Sequence, residues 1–146
     1  MDKFDERILQ ELKLDGRISN VELSERVGLS PSATLRRVQE LERQGVIKGY
    51  RAVLDSEQLG VGFIAYVSIG LASHSKKAQL DFEDHVRFVK EVVECHNITG
   101  ANEYLLRVET RDLAAYKAFH AGVLGECEHV QGITTMVVMD TPKDER

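Results

Sequence analysis

In the first fifty residues, apolar positions recur at helical spacing in three short bursts. In "DKFDERILQELKLDG", Phe4, Ile8 and Leu12 share one helical face, with Leu9 beside them. Asp2 or Asp5 is placed to cap the start of this helix and Gly16 to end it. In "SNVE", Ser19 and Glu22 have the spacing of a capping box, in which each side chain satisfies a backbone donor near the other. The helix it opens buries Leu23 and Val27 and stops at Gly28, a residue that tolerates the left-handed conformation of a helix end. A short turn leads to Ser30-Pro31, a good N-cap followed by a proline that loses no hydrogen bond at the first helical position. The third helix sends Leu35, Val38 and Leu41 inward and ends at Gln44-Gly45. In "VIKGYRAVLD", two β-prone runs around Lys48-Gly49 predict a small hairpin, or wing.

From Val61 the period changes. "VGFIAYVSIGL" alternates, with Val61, Phe63, Ala65, Val67, Ile69 and Leu71 on one face of a strand. "SKKAQLDFEDHVRFV" predicts a helix burying Leu80, Val86 and Val89. "EVVECHNI" and "EYLLRVET" are strands around the turn "TGAN". "DLAAYKAFHAGVLG" is a helix capped by Asp112 with Leu113, Tyr116 and Val123 on one face, and "GITTMVVM" is a last strand. The order strand, helix, strand, strand, helix, strand is the ferredoxin-like split arrangement, an antiparallel sheet with both helices on one face. The fold class is α+β. Residues 1–54 form a winged helix-turn-helix domain, the polar run 55–60 ("DSEQLG") a linker, and residues 61–146 the ferredoxin-like domain, ending in a mobile tail, "TPKDER".

Composition narrows the function classes. Hydrophobic and charged contents of 42% and 29% are those of a soluble globular chain. Two cysteines, Cys95 and Cys127, are too few for a disulfide framework and read as reduced cytosolic thiols. Met1–Lys3 runs straight into a charged amphipathic pattern, so no secretory leader is expected, and no apolar run reaches the ~20 residues of a membrane span. The net charge of −5 argues against a non-specific coat for nucleic acid. Most of that excess is in the second half: residues 1–60 hold 10 Lys and Arg against 11 Asp and Glu, residues 61–146 hold 9 against 13. A DNA reader in the first half needs only a local basic face.

Such a face lies in "VGLSPSATLRR". Two helices joined by a glycine turn describe a helix-turn-helix, whose second helix enters the major groove N-terminus first. From Leu29 to Gln39 there is no acid, and the first one afterwards is Glu40. Ser30, Ser32 and Thr34 can donate to phosphates or base edges, and Pro31 opens the helix whose free N–H groups favour phosphate. Arg36 and Arg37 can pair with guanine or phosphate, and Lys48 sits on the wing. The plain alternative for the two arginines is pairing with surface acids.

The stretch "DGRISNVELSERVGLSPSATLRRVQELERQGVIKGY", followed by "ECHNITGANEYLL", resembles the leucine-responsive/asparagine-regulator (Lrp/AsnC) family, of the leucine-responsive type, in the same order over nearly the whole chain. The resemblance implies a transcription regulator that binds double-stranded DNA, with a C-terminal domain that senses an amino acid and forms dimers, which in the family build larger rings, often octamers. It implies an effector site at Thr99, Gly100, Ala101, Asn102, Glu103 and Tyr104. The family usually has aspartate where Glu103 stands.

The residues themselves leave both readings of this segment open. Gly100 marks a tight turn whose backbone donors can cradle a carboxylate, and Glu103 can meet an α-ammonium. Thr134 and Thr135 are polar in an apolar strand and can line the site. The bland counterpart is a Gly-rich hairpin, a solvated glutamate and β-favoured threonines. Leucine or methionine is the favoured effector, and no metal, cofactor or catalytic group is expected, since the histidines are scattered and no serine has a base beside it. Val61, Phe63, Val67, Ile69 and the apolar residues of "TTMVVM" are more than one domain should expose, which predicts at least a dimer. The rival readings are a ferredoxin-like small-molecule sensor or enzyme without DNA binding, which the acid-free helix start disfavours, and a general architectural protein.

Overall fold

The computed structural model describes residues 1–146. The chain divides into two compact units, Met1–Leu54 and Asp55–Arg146.

The first unit holds α1 (Lys3–Leu14), α2 (Asn20–Val27) and α3 (Pro31–Arg43). Asp2 caps α1, accepting from the N–H groups of Phe4 and Asp5, while the Asp5 carboxylate returns to the Asp2 N–H. Asp15, not Gly16, is its C-cap: the Asp15 N–H reaches the Glu11 carbonyl and its carboxylate takes the Arg17 N–H, so the chain turns without left-handed backbone at Gly16. At α2 only half of the expected box forms. Ser19 accepts from the Glu22 N–H, but the Glu22 carboxylate turns to Arg26, 2.7 Å away, for a charge-assisted bond. Gly28 ends α2 at φ +77°, and Ser30 and Pro31 open α3 as the sequence suggests.

Ile8, Leu23, Val27 and Leu41 form the buried centre of this unit, with Leu9, Leu12, Ile18, Leu29, Val38 and Ile47 around them. The inward face of α3 differs from expectation by one position. Leu35 is 46% exposed and Thr34 is fully buried. Thr34, Val38 and Leu41 make the buried line, and Leu35 is rotated about 100° from Thr34. The Thr34 hydroxyl donates to the Ser30 carbonyl at 3.0 Å, which lets a polar residue sit in the core. The expected hairpin at Lys48-Gly49 does not form. No residue from Val46 to Leu54 lies in a strand, and Gly49 lacks the positive φ that a two-residue hairpin turn needs. The segment runs irregularly past α3, where the Tyr50 hydroxyl donates to Glu42 at 2.8 Å.

The second unit holds β1 (Phe63–Leu71), α4 (Lys76–Val86), β2 (Val92–Asn97), β3 (Tyr104–Thr110), α5 (Leu113–Phe119), a π-turn (His120–Leu124) and β4 (Val130–Val137). The sheet order is β2-β3-β1-β4, with all neighbours antiparallel. Every second residue of β1 from Ala65 to Leu71 is buried. These join Leu106, Val108, Phe82, Phe119 and Leu124 in one core, so both helices cover the same face. Leu80 and Leu113, expected inside, are exposed, and Phe82 and Phe119 fill the core instead. The wider turn after α5, closed by the Gly125 N–H on the His120 carbonyl, brings Leu124 fully into the core and leaves Val123 at its margin.

The surface expected to drive dimerisation also needs correction. Val67 and Ile69 lie under the helices, with Phe63 packed at the edge of the same core. The opposite, uncovered face carries Ile64 and Tyr66 of β1, Leu105 of β3 and Met136 of β4. Arg107 crosses this face, donating to the Tyr66 hydroxyl at 2.9 Å with its guanidinium 5.5 Å from that ring's centre. The tail is tied to the same region, with Arg146 2.9 Å from Glu94.

Candidate functional site

At the start of α3, the Ser30 hydroxyl accepts from the Ala33 N–H and lies 3.3 Å from the Ser32 hydroxyl. Asn20 donates to the Pro31 carbonyl at 2.8 Å and so ties α2 to the first turn of α3, a role with no sign in the sequence. Ser30, Pro31, Ser32, Arg36 and Lys48 are at the surface. Two residues expected to meet DNA are withdrawn from it. Thr34 is in the core. Arg37 points back to α1, where one guanidinium nitrogen lies 2.8 Å from Asp2 and 3.0 Å from Asp5 and the group rests 5.3 Å from the centre of the Phe4 ring. Hydrogen bonds to Asp2 raise the pKa of Arg37, and Asp2 is held below its usual value by the Asp5 N–H and then by Arg37. The plain alternative therefore holds for Arg37 and fails for Arg36, which is exposed with no ion pair or hydrogen bond. Glu40 is bound by both Arg43 and Gln44, and the Arg43 guanidinium pushes its carboxyl down to about 2. The acid nearest to Arg36 along α3 is thus paired within the helix. Leu35, expected inside, and Gln39, not singled out in the sequence, are exposed on the same side as Arg36.

In the second unit, Glu103 is 9% exposed at the point where the β2–β3 turn meets the end of β1. One carboxylate oxygen accepts from the Leu71 N–H at 2.7 Å, and the other lies 2.8 Å from Nδ1 of His74. The Glu103 N–H donates to the Ile69 carbonyl, while its own carbonyl accepts from the Ile98 N–H and the Asn97 side chain. Glu103 is therefore not a solvated glutamate; it is built into the junction. The adjoining turn from Thr99 to Asn102 has Gly100 at φ +118°, and none of its four N–H groups donates within the chain. Asn102 donates to the Ser68 hydroxyl at 2.8 Å. Its Oδ1 would stand 2.8 Å from a Cβ at Gly70, so a larger residue there would push the Asn102 side chain out of this position. Ser68 is paired in register with Thr134, and Gly70 with Gly132. The turn, Ser68, the two glycines and Thr134 thus share the sheet face away from the helices.

Two expected effector residues lie elsewhere. Tyr104 is on the helix side, 1% exposed, stacked 4.8 Å from Phe82 and donating to Glu83. Burial, reinforced by Glu83, pushes its phenol well above the usual range. Thr135 faces the helices as well, bonded to the Tyr116 hydroxyl, because successive residues of β4 point to opposite sides. Ser68, Gly70 and His74 had not been singled out. Gly70 in "VSIGL" carried a sign, since a glycine inside a strand marks a close approach; His74 carried none. A buried anion beside free N–H donors can receive a molecule with both an ammonium and a carboxylate. No group of three His, Cys, Asp or Glu side chains is arranged to hold a metal. No helix is long and apolar enough to cross a membrane.

Comparison with known proteins agrees with this division. A family model described as the Lrp/AsnC ligand binding domain matches residues 64–146. One described as winged helix-turn-helix DNA-binding matches residues 1–48. A proline dehydrogenase transcriptional activator of Rhizobium radiobacter is 41% identical over 144 residues, 99% of this chain and 92% of its own length. The leucine-responsive regulatory protein of Escherichia coli K12 is 41% identical over 143 residues, 98% of this chain and 87% of that one. Among solved structures, a transcriptional regulator of Neisseria meningitidis in complex with L-Met superposes with a TM-score of 0.94 at 38% identity, covering 99% of this chain and 93% of its own.

Proposed function

The chain belongs to the Lrp/AsnC family of DNA-binding transcriptional regulators, and on that premise we propose which of its residues meet DNA and what its second unit senses. The outward side of α3 enters the major groove. Arg36 contacts a base or phosphate, the hydroxyls of Ser30 and Ser32 and the free Ser32 N–H behind Pro31 hold phosphates, and Lys48 contacts the backbone beside them. The observation that carries this is the contrast between the tandem arginines: Arg37 is consumed by Asp2 and Asp5, and Arg36 is left free on an acid-free face. The rival reading, a sensor without DNA binding, gives a free Arg36 no task. Selection of bound fragments from a random DNA library separates the two: enrichment of a sequence motif supports the reader, and no enrichment removes it.

The second unit binds a small apolar amino acid, leucine or methionine in type. Its carboxylate meets the N–H groups of residues 99–102, and its ammonium meets the Glu103 oxygen now held by His74. The support is the buried, backbone-anchored carboxylate beside four unpartnered amides. The complex of the Neisseria relative with L-Met fits the same ligand class. Such a site rejects amines and acids that lack the other charge, because each would leave a partner unpaired at roughly 1–3 kcal/mol. Glu103→Gln is the decisive variant, because its amide oxygen still accepts from Leu71 while the charge is gone. Calorimetry should show binding weakened about 10- to 100-fold, as loss of a charged partner implies; unchanged affinity removes Glu103 from the site.

The sensing unit also dimerises through the face bearing Ile64, Tyr66, Leu105 and Met136, and the dimers join into a larger ring in the cytoplasm, where closed symmetry favours operators of two-fold character. Leu105→Asp should shift the sedimenting species to the monomer. A sedimentation profile identical to wild type would place the contact elsewhere.

A further inference from the structure

The tertiary structure leaves few candidates for reading bases, and their chemistry is specific. Along α3, Thr34, Val38 and Leu41 face the core. At 3.6 residues per turn, Ser32, Arg36, Gln39 and Arg43 fall on the opposite side, with Leu35 on one flank and Glu40 on the other. Arg43 and Glu40 occupy each other at 2.6 and 2.8 Å, and Gln44 adds a third bond, so neither charge is available to a base. Ser32 lies within hydrogen-bond distance of Ser30. Arg36 and Gln39 are exposed and have no partner. Leu35 is a half-exposed apolar side chain beside them, in a helix whose core positions are already filled.

We infer that Gln39 and Leu35, together with Arg36, determine which operator sequence this protein selects; this rests on α3 being the reading helix. A carboxamide presents one donor and one acceptor, the pattern that matches N7 and N6 of adenine, whereas the guanidinium of Arg36 offers only donors and matches O6 and N7 of guanine. Leu35 offers only carbon, and the one apolar group on a base edge in the major groove is the thymine methyl. Gln39 is three residues beyond Arg36, about 4.5 Å along the helix axis. The base step is about 3.4 Å. The adenine therefore lies within about two base pairs of the guanine. Glu40, the residue that would otherwise prefer cytosine by accepting from its amino group, is held back by Arg43. The half-site thus contains a guanine, an adenine within two steps, and a thymine whose methyl faces Leu35.

The test uses the full-length protein and the operator it selects. Gln39→Ala should weaken binding to that operator by about 5- to 150-fold, the range for one good bidentate base contact. It should also abolish discrimination at one A·T pair and leave the other positions unchanged. Replacing that adenine by 7-deaza-adenine should weaken the wild type by a similar factor and the variant not at all. Replacing thymines one at a time by deoxyuridine removes only the methyl. One such replacement should weaken the wild type, and Leu35→Ala should no longer respond to it. A Gln39→Ala protein that keeps full preference at every position overturns the adenine assignment, and a deoxyuridine penalty unchanged in Leu35→Ala overturns the thymine one. In either case the reading helix itself stands. A wild type that selects no sequence overturns both.

Discussion

In the first unit the fully buried apolar residues are Ile8, Leu23, Val27 and Leu41, and polar links do much of the remaining tying: Asp2 and Asp5 to Arg37, Glu11 and Glu22 to Arg26, Asn20 to the Pro31 carbonyl. In the second unit, four buried β1 residues, two from β3 and the rings of Phe82, Tyr104, Tyr116 and Phe119 form one apolar layer, and a single buried carboxylate is fixed at its edge. The first unit presents its functional groups on a convex helix edge, where the partner is large and itself supplies the cavity. The second collects them from two strands and two loops, because a small ligand must be surrounded by protein. A surface site tolerates a core completed by exposed charge pairs. A site assembled across a sheet depends on register, and so on the packing that fixes it.

That contrast can be broken most directly in the aromatic layer. Phe82→Ala should destabilise the second unit by about 3–5 kcal/mol, the range for deleting a fully buried ring, and reduce effector binding with it. Chemical denaturation measures the first effect and calorimetry the second. A loss below about 1 kcal/mol would mean that the layer collapses around the gap and is not what fixes the register.

The tandem arginines sharpen the other side. Arg36→Ala should weaken operator binding by roughly 5- to 150-fold, or lower its salt slope by about one if the contact is to phosphate. Arg37→Ala should instead lower the thermal midpoint of the helical unit and leave sequence preference unchanged, because its partners are Asp2 and Asp5. Operator titration and thermal melting on both variants are the measurements; equal effects on DNA would erase the distinction.

A smaller effect is expected at His74, which is largely exposed and lies against the Glu103 oxygen proposed to meet the ammonium. His74→Ala should raise effector affinity by less than about fivefold, the size of an exposed pair. Reduced affinity in calorimetry would show that the imidazole supports the ligand rather than competing with it. The smallest effect concerns acid. The carboxyl of Asp2 titrates below its ordinary 3.8 in the folded protein. Its contribution is therefore complete above that value and is lost as pH falls through the lowered folded one. The clamp on Arg37 should hold at neutral pH and open only in strong acid. An NMR titration of the Asp2 carboxyl with a midpoint at or above 3.8 would contradict this.

Much of the architecture was legible because it is local. The caps at Asp2, Ser30 and Asp112, the left-handed helix end at Gly28 and the alternation of β1 each depend on residues within a few positions of one another. The resemblance pointed to the turn from Thr99 to Asn102, and the structure buries the Glu103 carboxylate directly beside that turn. Errors arose where neighbours in sequence compete for one face. Leu35 is more apolar than Thr34, yet Thr34 is the buried one, because its hydroxyl bonds the Ser30 carbonyl and its position continues the line of Val38 and Leu41. The hairpin expected at Lys48-Gly49 rested on β-propensity alone, without a turn able to reverse the chain.

Residue type, spacing and the resemblance determined that this chain would have a capped reading helix, an alternating sheet and a glycine turn next to an acid. Tertiary structure separated adjacent residues in each: Arg37 is bound to Asp2 and Arg36 is left free, Thr134 faces away from the helices and Thr135 toward them, and Glu103 is fixed beside the turn while Tyr104 is buried against Phe82. Adjacent side chains are about 100° apart on a helix and point to opposite faces of a strand. A sequence lists such neighbours as equals, and only the surface packed against one of them separates their roles. The Leu71 N–H that anchors Glu103 from 32 positions away, and the room that Gly70 leaves for Asn102, exist only because β1 and β3 pair in one register.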